Sequence, residues 1–144
     1  MVLAAWSGEV DAIGMTARWQ VVDDHLEVHL QSPGPGWVAV GLHAKPTLAG
    51  ARLVMASVTE SGLRVEEHVA RPPAHPARTE GARATGVSGT GPPTQVVVRI
   101  PLDPKVPDLV VLAPGQRVWM VLAWSQDVDF GHHSARRTGL WVEL

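Results

Sequence analysis

Two charge-free apolar runs stand out in the pattern of hydrophobic and polar positions along the chain. They cover 37–42 and 53–58, and each is strand-length and rich in branched residues. Such runs are typical of strands that are covered on both faces. The segment between them contains Pro46 and Gly50, so we expect the chain to leave the sheet there and return. A loop held by two buried strands is a natural place for a binding site.

Shorter patterned segments surround this pair. Residues 25–31 alternate strictly, with Leu26, Val28 and Leu30 on one side and polar residues on the other, as in a half-buried antiparallel strand. No window of eleven or more residues keeps a helical period without a proline or glycine. The sequence therefore predicts an all-β fold, an antiparallel, immunoglobulin-like β-sandwich of about ten strands. The other predicted strands are 16–22, 63–70, 82–87, 95–102, 108–112, 117–124 and 140–144.

Length and composition narrow the class of protein. The 144 residues fit one domain, 1–144, which should bury roughly two-thirds of its unfolded surface. A net charge of -2 gives no general reason to bind nucleic acid or an anionic membrane. The absence of cysteine excludes disulfides, thiolate metal sites and blue-copper centres. The absence of asparagine and cysteine is compatible with a heat-adapted, thermostable protein.

The cellular compartment is left open by the sequence. No apolar run is long enough to span a bilayer, and the first six residues lack the basic start of a secretion signal. We therefore expect a chain without a membrane span and without an export leader.

Histidine is the residue type that could carry chemistry. A cysteine nucleophile, a Gly-x-Ser-x-Gly elbow and a phosphate-binding glycine loop are all missing, so an independent enzyme is not expected. His43 and the pair His132-His133 each lie in a loop beside a doubly buried strand. Imidazole suits zinc, copper and iron, so these loops predict a histidine-only metal site or a haem site. The remaining histidines are interpreted as surface residues: His25, His29, His68 and His75.

The six tryptophans contrast with one phenylalanine and no tyrosine. Trp124 ends the strand that enters the histidine loop, so we expect it to flank a ligand. Trp37, Trp119 and Trp141 alternate with apolar residues and are expected in the core. Met55 and Met120 lie within apolar strands and are interpreted as core fillers.

The order of these segments resembles a DOMON domain, over residues 14–144. The resemblance is carried by GMTARWQVVDDHLEVHL, GWVAVGL, Leu48-Ala49-Gly50-Ala51, LVMASV, LRVEEHVA, VVVRIPLD, residues 118–124 and HHSARRTG. It implies a β-sandwich that holds a ligand between or beside its sheets. That ligand is b-type haem in the electron-transfer members of the family and sugars or other small molecules in others. The resemblance also implies a site of action outside the cytoplasm.

The resemblance places two iron ligands on this sequence. One is a histidine near the C-terminus, matched by His133 or its neighbour His132 ahead of Arg136-Arg137-Thr138-Gly139. The other is a methionine, whose position holds Leu48, and leucine cannot ligate iron. His43 could take its place, the iron could be five-coordinate, or the pocket could hold no iron.

Three functions remain open at this point. The first is a non-catalytic haem b module for electron transfer or sensing, which would act with a redox partner protein. The second is a carbohydrate or small-molecule binding module, with Trp124 as a stacking platform and polar contacts from His133, Arg136 and Asp127. The third is an interaction domain that has lost its cofactor.

Overall fold

The protein is a sandwich of two antiparallel sheets in a computed structural model that describes residues 6–72, the backbone of 77–78, and residues 81–144. Ten of its strands have five or more residues and one has two, so the predicted all-β sandwich of about ten strands is confirmed. His75 lies outside the described residues. The strands are β1 (Gly8–Ala12), β2 (Met15–Val22), β3 (His25–Gln31), β4 (Val38–His43), β5 (Arg52–Thr59), β6 (Gly62–Val69), β7 (Ala77–Arg78), β8 (Thr85–Thr90), β9 (Gln95–Pro101), β10 (Arg117–Trp124) and β11 (Arg136–Glu143).

The two sheets enclose the main core. The five-stranded sheet has the order β1-β2-β3-β9-β8, and the six-stranded sheet has the order β11-β10-β4-β5-β6-β7. Alternate residues of the facing strands fill the space between them, among them Leu26, Val28, Val40, Met120 and Leu122. Fully burying a side chain of this size contributes about 1.5–3 kcal/mol, so this interior is the main source of stability.

Polar segments are where the predicted strand boundaries are wrong. β1 was not predicted, because its five residues carry little hydrophobic signal. The predicted strand at 108–112 is irregular chain instead, tied by the N–H of Leu112 to the carbonyl of Leu102. The last strand begins at Arg136, not at Leu140, so Arg136 and Arg137 belong to β11 rather than to the preceding loop.

Two of the tryptophans expected in the core lie on the outside of the six-stranded sheet. Trp119 pairs with Trp141 across β10 and β11, with the rings edge to face and their centroids 5.5 Å apart. Trp141 is 37% exposed, and the guanidinium of Arg117 lies over its ring. The core prediction is therefore wrong for Trp141 and only partly met by Trp119. Trp37 is buried as predicted.

A fully buried ion pair fastens the segment that follows β9. Arg52 and Glu67 are both 0% exposed, and Arg52 Nε donates to Glu67 Oε2 over 3.1 Å. The other guanidinium N–H groups reach Glu67 Oε1 and the carbonyls of Pro101, Leu102 and Val110. All five guanidinium donors are thus satisfied, as a buried arginine requires.

Within the described ranges 6–72, 77–78 and 81–144, no helix could cross a membrane.

Candidate functional site

A second apolar cluster lies on the outer face of the six-stranded sheet. Its buried members are Trp37, Ala39, Met55 and Ala123, and Leu53 and Phe130 pack against them. These residues alternate along β4, β5 and β10 with the residues of the main core, so the same strands bury both faces. This confirms that the two apolar runs are covered on both sides. The outer cover, however, is made of loops rather than of a second sheet.

This cluster forms the floor of a depression of about 230 Å³. The loop after β10 supplies one wall, and the chain just after β6 supplies the other. Two guanidinium groups, Arg71 and Arg137, stand in its lining, and neither has a carboxylate within 4.0 Å among the described residues. The remaining lining residues are Trp37, Leu48, Leu53, Met55, Ala70, Pro72, Phe130, Gly131, His132, His133 and Ser134. The depression therefore combines an apolar floor with imidazole and guanidinium groups.

The loop between β10 and β11 is fixed against β4 by its backbone. The N–H of Trp37 donates to the carbonyl of Asp127, and the N–H of Ser125 donates to the carbonyl of Trp37, each over 2.9 Å. Gly36 permits this close approach, because a Cβ there would lie 2.2 Å from Ser125 O and 2.4 Å from Asp127 N. The loop is thus attached to the sheet before the chain reaches the histidines.

Two side chains hold the histidine pair by its main chain. The indole N–H of Trp37 donates to the carbonyl of His132 over 3.1 Å, and the Ser125 hydroxyl donates to the carbonyl of His133 over 3.0 Å. The backbone is therefore fixed while the imidazoles stay exposed. His132 Nδ1 lies 4.0 Å from Asp127 Oδ2, and no side chain among the described residues bonds to the ring of His133.

His43 does not line the depression. It ends β4 opposite Trp119, whereas the histidine loop leaves β10 after Trp124, which pairs with Val38. Five strand residues separate the two places, roughly 17 Å along the sheet. The N–H of Ala44 donates to His43 Nδ1 over 2.9 Å, so Nε2 carries the proton and donates to the carbonyl of Ala49 over 3.0 Å. Both ring nitrogens are thus engaged within their own loop.

Leu48, by contrast, lies beside the histidine pair. The loop after β4 folds back over the outer face, held where the N–H of Gly50 donates to the carbonyl of Ala70 over 2.9 Å. Leu48 consequently lines the main depression, a smaller hollow of about 100 Å³ over Ala39 and Ala123, and a third of about 220 Å³ beside Trp119. Arg137 lines the same three hollows.

Trp124 and Arg136 lie away from this depression. Trp124 is 9% exposed, belongs to the main core, and donates its indole N–H to the carbonyl of Ile13 over 2.8 Å. Arg136 pairs with Trp124 across β10 and β11, so it occupies the register of the inner face. Arg137 pairs with Ala123 and occupies the outer register. The indole platform expected at Trp124 is therefore not open to a ligand from the depression.

The sequence interpretation missed Arg137, Met55, Phe130 and Arg71 as lining residues. Alternation could have found Arg137 and Met55 if the outer face of β10 had been assigned, because Ala123 and Ala39 share that face with them. Nothing in the local sequence marks Phe130 or Arg71. Among the residues that the structure describes, no group of three or more His, Asp or Glu side chains is placed to hold a bare metal ion.

The fold resembles that of cytochrome domains. One is the cytochrome b domain of pyranose dehydrogenase from Coprinopsis cinerea, with a TM-score of 0.69, 14% identity, and coverage of 90% of this chain and 76% of that one. Another is the cytochrome domain of cellobiose dehydrogenase from Myriococcum thermophilum, with a TM-score of 0.68, 14% identity, and coverage of 95% and 81%. A scan of family models and a search of curated proteins gave no match. The resemblance drawn from the sequence is thus confirmed for the fold.

Proposed function

We propose that the domain binds haem b, without catalysing a reaction of its own, in the depression on the outer face of the six-stranded sheet. The observation that carries the proposal is the placement of His132 and His133 above an apolar floor with two guanidinium groups in the lining. The likeness to cytochrome domains supports it through the fold. Bound haem would supply one-electron chemistry, for transfer to a redox partner or for sensing.

The residues of the depression fit the parts of a haem. Imidazole is a common iron ligand, and the exposed rings of His133 and His132 offer it from a loop whose main chain is already fixed. Trp37, Leu53 and Phe130 offer apolar contacts to a flat ring. Arg71 and Arg137 match the carboxylates of its propionate groups, because guanidinium groups pair well with carboxylates.

One residue of the floor could supply a second ligand to the iron of a bound haem. Met55 is 4% exposed and lines the depression together with both histidines, and its thioether can ligate iron. Leu48 lines the same space without a donor atom. His43 is committed to its own loop, and our proposal leaves it out. Met55 is thus the buried apolar residue expected from the sequence, and our proposal adds a role as sulfur donor.

Haem titration of the purified chain tests the proposal. We expect a Soret band that saturates at one haem per chain. The variants His133→Ala and His132→Ala should show which histidine binds the iron. The variant that lacks the iron-binding histidine should lose or shift the Soret band, and the other should keep the wild-type spectrum. Met55→Leu should keep the haem and alter the spectrum in the way that loss of a thioether ligand does.

A matched control uses His25 on the opposite sheet. His25→Ala should leave the spectrum and the affinity unchanged, because His25 begins β3, the central strand of the five-stranded sheet, and does not line the depression. A wild-type chain that stays colourless with excess haem would overturn the haem proposal. It would leave the interaction domain without a cofactor as the better interpretation.

A further inference from the structure

The edge strand β11 differs from the other edge strands of the sandwich. β1, β8 and β7 have five, six and two residues. β1 exposes the carboxylates of Glu9 and Asp11, and the register of β8 shifts between Gly86 and Ser88. Short length, like charges and bulges all keep an edge from pairing with another chain. β11 is longer and more regular, because its eight residues pair with β10 without a shift.

Alternate backbone groups of β11 point away from its own sheet. The N–H of Leu144 donates to the carbonyl of Gln116 over 2.9 Å, so the even-numbered residues are in hydrogen-bonded register with β10. The outward N–H and C=O groups belong to the odd-numbered residues, Arg137, Gly139, Trp141 and Glu143. In the part of the chain that the structure describes, no further strand pairs with this edge. The carbonyl of Glu143 accepts the indole N–H of Trp19 over 3.0 Å and keeps a second lone pair.

The outer-face side chains of β11 are complementary to those of a second copy of the same strand. Two copies that pair antiparallel about a twofold axis can place Arg137 opposite Glu143. The same register places Gly139 opposite Trp141, and every contact occurs twice because the interface is symmetric. A guanidinium then meets a carboxylate at each end of the paired segment, and a large ring lies beside a residue without a side chain.

Trp141 gives this surface an exposed aromatic group. Its ring is 37% exposed and lies edge to face on Trp119, with centroids 5.5 Å apart. Trp119 also covers Gly139, since a Cβ at that glycine would lie 2.5 Å from the indole of Trp119. In the symmetric register the partner's Trp141 would lie opposite Gly139 and therefore beside Trp119. The second copy would thus cover apolar ring surface that one chain leaves in water.

From these observations we infer that two copies of this chain associate through β11. The two six-stranded sheets would then form one continuous sheet of twelve strands. Main-chain hydrogen bonds provide the affinity in strand addition, and the side chains set the register. An interface built on one strand is small, so we expect a dimer that forms at high protein concentration. The inference does not depend on the haem proposal.

Sedimentation equilibrium of the purified chain, without added haem, tests the inference. Haem is left out because Arg137 also lines the depression. We expect the weight-average mass to rise from 15.4 kDa towards twice that value as the concentration increases to about 0.5 mM. Glu143→Arg would set guanidinium groups opposite each other, and Arg137→Glu would set carboxylates opposite each other. Each single variant should associate at least tenfold more weakly, because like charges directly opposite destabilise a strand pair.

An equimolar mixture of the two single variants makes the test specific to this register. A dimer with one chain of each variant has opposite charges at both contacts again. We therefore expect the mixture to associate within about threefold of wild type, although neither variant does so alone. Both positions are exposed, so the fold should be kept, and the thermal midpoint of each variant checks this.

Glu60→Arg is the matched control for the change in charge. Glu60 is exposed in the turn between β5 and β6, away from the edge that β11 forms. This variant carries the same charge change as Glu143→Arg and should associate within twofold of wild type.

Three results would overturn the inference. One is a wild-type mass that stays at 15.4 kDa over the whole concentration range. Another is association of the single variants that equals that of the wild type. The third is a mixture that associates no better than its two components. None of these results affects the haem proposal, because haem binding is measured by the Soret band.

Discussion

The indole N–H of Trp37 donates a hydrogen bond to the main-chain carbonyl of His132, over 3.1 Å and across 95 residues of sequence. One side chain thereby joins the start of β4 to the loop that carries the histidine pair. The ring of Trp37 also forms part of the apolar floor beneath that loop. The position of the proposed haem ligands is consequently tied to the sheet and not left to the loop itself.

Trp37→Phe should loosen the histidine loop. The phenyl ring keeps much of the apolar contact but removes the donor, so we expect a loss of about 1 kcal/mol in unfolding free energy. Haem affinity should fall about tenfold, with faster amide hydrogen exchange over 126–134. Trp141→Phe is the control, because its indole lies on the same sheet face away from the loop, so haem affinity and amide exchange over 126–134 should stay unchanged. Equal haem affinity in Trp37→Phe and wild type would contradict this role.

Leu48→Met should strengthen haem binding. Leucine and methionine have similar volumes, so the exchange should cost less than 1.5 kcal/mol, and it brings a thioether into the lining shared with His133. We expect a severalfold gain in affinity and a spectrum with stronger thioether character, measured by haem titration and visible absorption. Leu53→Met, in the floor, is a comparison that adds a thioether at another position. No spectral change in Leu48→Met would show that Leu48 lies out of reach of the iron.

Removing one partner of the buried Arg52–Glu67 pair should destabilise the fold severely. Arg52→Met leaves a buried carboxylate without its partner, and such losses typically cost about 3–5 kcal/mol. The double variant Arg52→Met/Glu67→Leu removes both charges and should recover much of that loss, although the carbonyls of Pro101, Leu102 and Val110 lose their donors. Urea unfolding measures the free energy of unfolding of the single and the double variant. A double variant as unstable as Arg52→Met would contradict this account.

Gly139→Ala should disturb the pairing of β10 with β11. A Cβ at this position would lie 2.5 Å from the ring of Trp119, so the indole must move or the strands must separate. Overpacking of this kind costs about 1–3 kcal/mol in unfolding free energy. Gly131→Ala is the control for stability, since its Cβ would meet only Asp129 Oδ1, at 3.4 Å. Thermal unfolding should give a lower midpoint for Gly139→Ala than for Gly131→Ala. Equal midpoints would count against the close contact at Trp119.

The sequence predicted the strands well where hydrophobic side chains mark the period. The alternation from His25 to Gln31 matches β3, and the apolar run from Arg117 to Trp124 matches β10. The start of β11 was wrong because Arg136 and Arg137 carry no hydrophobic signal, although their backbone pairs with Trp124 and Ala123. Boundaries in polar segments depend on a partner strand that the local sequence does not show.

The candidate site was predicted only in part, for a related reason. A strand that is apolar at every position does not show which face meets the second sheet and which is covered by loops. Trp124 was therefore expected beside the ligand but faces the main core. Met55 is buried in an apolar cluster as expected, but that cluster is the floor of the depression and not the interior between the sheets. His43 was placed in the site by its loop, but its ring is turned into hydrogen bonds within that loop.

The six-stranded sheet is covered by the other sheet on one face and by loops on the other. The residues that stabilise the fold therefore differ from those that would contact a ligand. Residues on the inward side of β4, β5 and β10 secure the sandwich, while Leu53 and Met55 on the outward side line the depression. Residues that line the depression can thus be substituted one by one without changing the packing between the two sheets. A chain emptied of its ligand should still fold, with the histidine loop already in place when the ligand arrives.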